Sequence, residues 1–276
     1  MSQLLYYFIF LFVIAGFLFE QLISFLNHLS RSGSVPSVLS DVYTKERYDT
    51  YIHYKSDSYR FGLLVSWLSF AATLLMLWGG FVYLDDMVSQ WVDNRILQSL
   101  LFFGLLGLAA DLLSMPFDLY DTFVIEQKYG FNKMTLATYF LDKIKSWLLA
   151  VLIGGGLLSL IIWLYSLLGS SFWWLAWIVI TAFSLFFSLF YSTLIVPLFN
   201  KQTPLEPGEL RDKLNTLAIQ AGFDITGIYV IDGSKRSTRS NAYFSGFGSR
   251  RRIVLYDTLI QHQSSDQIAA VLAHEI

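Results

Sequence analysis

Over its first two hundred residues this chain carries its apolar residues in long unbroken runs, without the alternation or the 3.6-residue stripes of a water-soluble fold. Between Lys145 and Lys201 lie 55 consecutive residues without Asp, Glu, Lys, Arg or His. As helix that stretch would extend about 80 Å, too long for one hydrocarbon core of about 30 Å and enough for two crossings. Gly169-Ser170-Ser171 divides it, and Trp173, Trp174 and Trp177 follow as an interfacial belt. Phe61–Leu84 is a second run, of 24 residues, and Leu4–Phe19 a third that extends past Glu20 to Leu26. A fourth, Ile96–Ala110, reaches spanning length only if it includes Asp111. The pattern predicts five membrane spans, at about 4–26, 61–84, 96–116, 147–168 and 173–196.

Composition agrees. The chain is 55% hydrophobic and 14% charged, with a mean hydropathy of +0.51. Soluble domains carry about 25% charged residues, so an ordinary globular protein is excluded. The bilayer is the expected partner; a net charge of −2 gives no reason to expect nucleic acid. There is no cysteine, which removes disulfides and thiolate metal sites. No Lys or Arg precedes the first run and no small-residue cleavage pattern follows Phe19-Glu20, so it reads as a retained helix.

The loops carry their basic residues unevenly. Alternate sides of the five-span scheme hold eighteen Lys and Arg against one, Arg95. By the positive-inside rule the N-terminus is outside and everything after Pro197 is cytoplasmic. Short loops and the lack of a targeting extension favour a bacterial inner membrane over the endoplasmic reticulum.

The character of the chain changes at Asn200. Residues 1–199 read as a membrane domain and 200–276 as the start of a small α+β domain in water. Leu210, Leu214, Leu217, Ala218 and Ala221 recur at helical spacing before Gly222, a helix stop, and Thr203-Pro204-Leu205-Glu206 resembles a capping box. Strands are predicted at 227–232, 240–247 and 253–256, with Gly248–Arg251 as a hairpin turn. A last helix starts at Ser264, with Gln267 placed to complete its cap. Ile268, Val271, Leu272 and Ile276 form its predicted buried stripe, and Glu275 falls on the same stripe, where a carboxylate is costly unless paired or near a metal.

Glu275 follows His274, and the pair matches the first half of H-E-x-x-H. In that motif two histidines one turn apart hold Zn²⁺ and the glutamate handles the proton of the attacking water. The second histidine would fall two positions beyond Ile276.

Other polar residues admit plainer roles. Asp111 is either an intramembrane functional group or an interfacial one, and Glu20 reads as interfacial. His28, His53 and His262 are isolated, and Arg250-Arg251-Arg252 reads as a solvated turn. Asn241-Ala242-Tyr243-Phe244 is either a plain strand or an exposed edge that holds an extended peptide by backbone pairing. Spacing alone does not choose.

Several longer segments decide more. Residues 125–135 (IEQKYGFNKMT), Pro197–Lys201 with Thr203–Glu206, Asp232–Ser237 leading into Ser240–Phe244, Arg252–Leu259 and Val271–Ile276 resemble, in the same order, the integral-membrane zinc metalloproteases of the CAAX prenyl protease 1 family. The resemblance covers most of the chain from about residue 50. It implies a mainly α membrane bundle around a water-filled chamber, closed by a zinc peptidase domain. His274 would be the first zinc ligand, Glu275 the general base, and Asn241, Ala242 and Tyr243 part of the substrate-pairing edge strand. The substrate would be a peptide or protein, prenylated or not.

A catalytic zinc needs three protein ligands plus water. The resemblance therefore also implies that this chain is an inactive N-terminal fragment, with the other ligands and two further spans after Ile276. Competing classes are a degenerate, non-enzymatic membrane scaffold or gate, a membrane-protein quality-control protease without CAAX specificity, and a transporter using Asp111 as an ion relay.

Overall fold

The computed structural model describes residues 3–31, 33–37, 40–41, 43–222, 225–246 and 251–275. Its packing divides the chain into two units, Met1–Tyr129 and Gly130–Ile276.

The first unit is helical. α1 (Gln3–Leu29) carries the first span. α2 (Lys45–Leu75) starts at Thr44, whose hydroxyl accepts from the Arg47 amide, and passes through a π turn at Met76–Gly80 into α3 (Phe81–Trp91). This continuous run of 47 residues extends past the predicted 61–84 at both ends, because helix geometry continues into water once a cap closes it. α4 (Arg95–Tyr120) is capped by Asn94, which accepts from the amides of Ile96 and Leu97, and a π turn at Asp121–Glu126 prolongs it. The helix outruns the predicted span 96–116, passing through Pro116, and Asp111 sits in its interior. Rings join the helices. Phe17 on α1 stacks on Phe70 of α2 at 3.9 Å, and His28 stacks on Tyr59 at 4.2 Å. Tyr54 donates to Glu126 at 2.6 Å, while Lys128 and Tyr129 both donate to Asp57 at 2.7 Å.

The second unit opens with α5 (Leu136–Leu149), capped by Thr135, then a π turn at Ala150–Gly154 and α6 (Gly155–Leu168). This helix begins eleven residues before the predicted 147. A 3₁₀ turn at Gly169–Ser171 leads to α7 (Phe172–Leu194), and Gly169 takes φ 56, a left-handed value that suits glycine. α8 (Val196–Phe199) is one turn long.

Phe12, Trp78 and Val151 are 73%, 80% and 71% exposed. Leaving such side chains in water forgoes roughly 1.5–3 kcal/mol each, so surfaces of this kind are solvated by lipid. The chain is a multi-pass integral membrane protein.

Beyond α8 a four-stranded sheet forms from β1 (Gln202–Pro204), β2 (Ile225–Ile231), β3 (Ala242–Ser245) and β4 (Arg251–Tyr256). Its order is β1-β2-β4-β3, with β2 and β4 parallel and the outer pairs antiparallel. The predicted hairpin turn lies mostly outside the described residues, which omit 247–250. β1 replaces the predicted capping box. Thr203 and Pro204 pair with Val230 and Tyr229, and the Leu205 amide donates to Ile228 at 2.9 Å, so the backbone of this segment is committed to the sheet. A proline is tolerated there because β1 is an edge strand. α9 (Glu209–Gln220) starts one turn later and stops at Gly222, φ 70.

Alternation sorts the sheet into two faces. Ile228, Ala242, Ile253 and Leu255 pack with Leu214 of α9, Leu259 of α10 (Asp257–His262), and Ile268 and Leu272 of α11 (Ser265–Glu275). Ile231 and Val254 pack with Val196 of α8, flanked by Tyr243 and Tyr256.

Candidate functional site

α11 is built as its sequence predicts at the start and differently further on. The Gln267 side chain accepts from the Ser264 amide at 2.9 Å and Ser264 Oγ accepts from the Gln267 amide at 3.4 Å, a closed capping box. Lys213 on α9 forms an ion pair with Asp266, and that hydrogen bond holds the Lys213 ammonium above the usual lysine range. Ile268 and Leu272 are buried, but Val271 is 36% exposed, so the buried stripe is narrower than the spacing suggested. The core meets α11 along the i, i+4 line of Ile268 and Leu272, and Val271 lies off that line. His274 is exposed on the last turn. The side chain of Glu275 and all of Ile276 lie outside the described residues, and with them the predicted place of Glu275 on the stripe.

α11 packs against β3, which ends the sheet. The Tyr256 amide donates to the Asn241 carbonyl at 3.0 Å, and the register pairs Tyr243 with Val254 and Ser245 with Arg252. In an antiparallel ladder hydrogen-bonded pairs alternate, so Asn241, Tyr243 and Ser245 turn their backbone groups toward β4. Ala242 and Phe244 turn theirs to the outer edge. The side-chain oxygen of exposed Asn241 accepts from the Ala242 amide at 2.9 Å.

Tyr243 points away from the α11 face, toward α7. Burial pushes its phenol above the usual tyrosine range, opposed by a hydrogen bond with Ser192. Beside it a cleft of about 540 Å³ is lined by Ser184, Phe187, Ser188 and Tyr191 of α7 and by residues 243–246. Sequence reasoning passed over this α7 face. Its signal is there in Ser184, Ser188 and Ser192, an i, i+4, i+8 polar line in an otherwise apolar span.

The segment leading into β3 is fastened at nearly every step. Ser234 donates through its amide, at 2.8 Å, and its hydroxyl to Asp257. Arg236 Nε and Nη2 donate to Asp142 Oδ2 of α5 at 2.9 and 2.7 Å, and Nη2 also to the Phe199 carbonyl at 2.7 Å. Ser237 bridges Asn132, and the Thr238 amide donates to Phe131 at 3.0 Å. Gly233 admits no side chain, since a Cβ there would lie 2.5 Å from the Tyr256 ring.

Among the described residues no three His, Cys, Asp or Glu stand together as a metal cluster. His274 is an accessible imidazole suited to zinc, but one ligand does not make a zinc site. The residues present therefore fit the metal only in part.

A family profile described as the CAAX prenyl protease N-terminal domain, five membrane helices, matches residues 25–201, and one described as peptidase family M48 matches 204–276. The chain belongs to the M48 family of CAAX prenyl proteases. M48 relatives include CAAX prenyl protease 1 of Saccharomyces cerevisiae, 36% identical over 96% of this chain and 61% of that protein, and a CAAX prenyl protease 1 homolog of Oryza sativa subsp. japonica, 36% identical over 96% and 65%. The crystal structure of S. mikatae Ste24p superposes with a TM-score of 0.87 at 37% identity, covering 96% of this chain and 64% of that one. The chain thus spans about three fifths to two thirds of the length of these M48 relatives. The five-helix description agrees with counting two crossings in the long helical run Leu136–Phe199.

Proposed function

We propose that the protein acts as a membrane-embedded zinc metalloendopeptidase of CAAX prenyl protease type. The observation that carries this reading is the packing of α11, which bears His274-Glu275, against the sheet-ending strand β3. His274 supplies one metal ligand, and zinc, when bound, polarises a carbonyl and a water. Glu275 takes the proton of the attacking water and delivers it to the leaving amine. Asn241, Ala242 and Tyr243 bind substrate as an added strand, with the outer-edge groups of Ala242 and Phe244 forming the ladder and Asn241 releasing the Ala242 amide as the peptide arrives.

The names of these relatives support a peptide ending in a CAAX box, prenylated in its natural form, as substrate. Residues 1–199 then serve as the membrane domain and 200–276 belong to the peptidase domain. The eighteen-to-one distribution of Lys and Arg supports an N-terminus outside and a peptidase domain in the cytoplasm. Relatives from yeast and rice lend the preference for a bacterial membrane no support.

The test uses the complete gene product in detergent, with matched farnesylated and unmodified CAAX peptides. Chelator-sensitive cleavage that vanishes in Glu275→Gln, with zinc content unchanged, is the expected result. Cleavage that persists in Glu275→Gln would overturn the role of that residue. Absence of any metal-dependent cleavage would overturn the enzyme and leave a membrane scaffold.

A further inference from the structure

We infer that Arg236 is a positioning residue, whose guanidinium, held by Asp142 and the Phe199 carbonyl, sets where strand β3 stands relative to the middle of α5 and the end of α8. The inference deepens the proposed function and rests on it only in naming β3 as the substrate strand.

Arg236 meets partners 94 and 37 residues away in sequence, one on the helix entering the fourth span and one just after the fifth. The pair is well shielded, with Arg236 18% and Asp142 20% exposed at the side chain, unlike a surface ion pair that solvent screens. Its charge-assisted bonds belong to the strong class, and a planar fork fixes orientation as well as distance. Nη1 of the same guanidinium is buried without a hydrogen-bond partner among the described residues, so its compensation rests on Asp142 and Phe199.

What makes this an anchor for β3 is the short path between them. The Arg236 carbonyl accepts from the Lys133 amide at 3.0 Å. Thr238 donates through its hydroxyl to Gly130 and through its amide to Phe131, and the Arg239 guanidinium lies 4.9 Å over the Phe131 ring. The Arg239 carbonyl accepts from buried Thr258 at 2.9 Å, and that of Asn241 from Tyr256. Apart from Ser240, each residue from 236 to 241 has a named fixed partner, so a shift at Arg236 is passed along to Ala242 with little slack.

The experiment compares R236A, R236K and D142N with the parent, again as the complete gene product in detergent. Amide hydrogen exchange is read at 242–245, with 228–231 in the adjoining sheet as the internal reference. Exchange at 242–245 should rise about tenfold in R236A and less in D142N and R236K, with 228–231 unmoved. In cleavage of a synthetic CAAX peptide, KM should rise about tenfold with kcat within about threefold, and R236K should recover part of the loss. Faster exchange confined to 233–239, with parental rates at 242–245, would overturn the inference. Should R236A fail to fold, D142N and R236K carry the same comparison. A parent that cleaves no peptide would sink the proteolytic reading and leave the exchange result to decide the role of Arg236.

Discussion

Lys213 and Asp266 tie α9 to α11 through an ion pair at the start of the helix that ends in His274-Glu275. Because the bond raises the Lys213 pKa, the folded state holds that proton more tightly than the unfolded chain does. Its contribution is therefore complete below the ordinary lysine value and is lost as pH rises through the raised one. Both groups face solvent, so the effect is small and salt-sensitive. Thermal unfolding of K213A should match the parent at the alkaline end and fall slightly below it at neutral pH in low salt.

Packing and chemistry should separate cleanly on α11. Leu272 is fully buried, and L272A should cost about 2–5 kcal/mol in denaturant unfolding. His274 is exposed, and H274A should change the stability of the metal-free protein by less than about 0.5 kcal/mol while abolishing any metal-dependent cleavage.

Tyr243 offers a spectroscopic handle. Its burial-raised pKa means that the folded protein keeps this phenol protonated longer than the unfolded one, so stability falls as pH rises past the ordinary tyrosine value. In an absorbance titration Y243F should lose a late-ionising tyrosine.

Gly233 should resist even the smallest change. An added methyl would meet the Tyr256 ring at 2.5 Å, so G233A must displace either that ring or the 3₁₀ turn. A loss of about 1–3 kcal/mol in thermal or denaturant unfolding is expected, the usual range for overpacking.

Much of this architecture could be read from the chain. Unbroken apolar runs located the membrane helices because lipid demands nearly continuous apolar surface, a signal that polar caps such as Asn94 and Thr135 hardly blur. Helix ends were less legible. Residues 45–60 and 136–146 are polar enough to sit in water, and nothing in hydropathy requires a helix to stop where lipid does. The capping box at 203–206 failed for a tertiary reason, since pairing with β2, some thirty residues later, outweighs a local motif. Asp142 and Arg236 were invisible as a pair because linear sequence does not say which loops meet. The edge position of β3 was left open for the same reason, and only the strand order resolved it.

The sheet begins almost as soon as α7 ends. Seven residues separate Leu194 from Gln202, and four of them are coiled in α8. Fully extended, such a link reaches only about 25–30 Å, and the sheet itself places β3 about 15 Å across from β1. A strand tethered this closely cannot search the aqueous phase. Any peptide that pairs with it must be brought to within a few nanometres of the bilayer, so proximity to lipid becomes a criterion of selection in its own right.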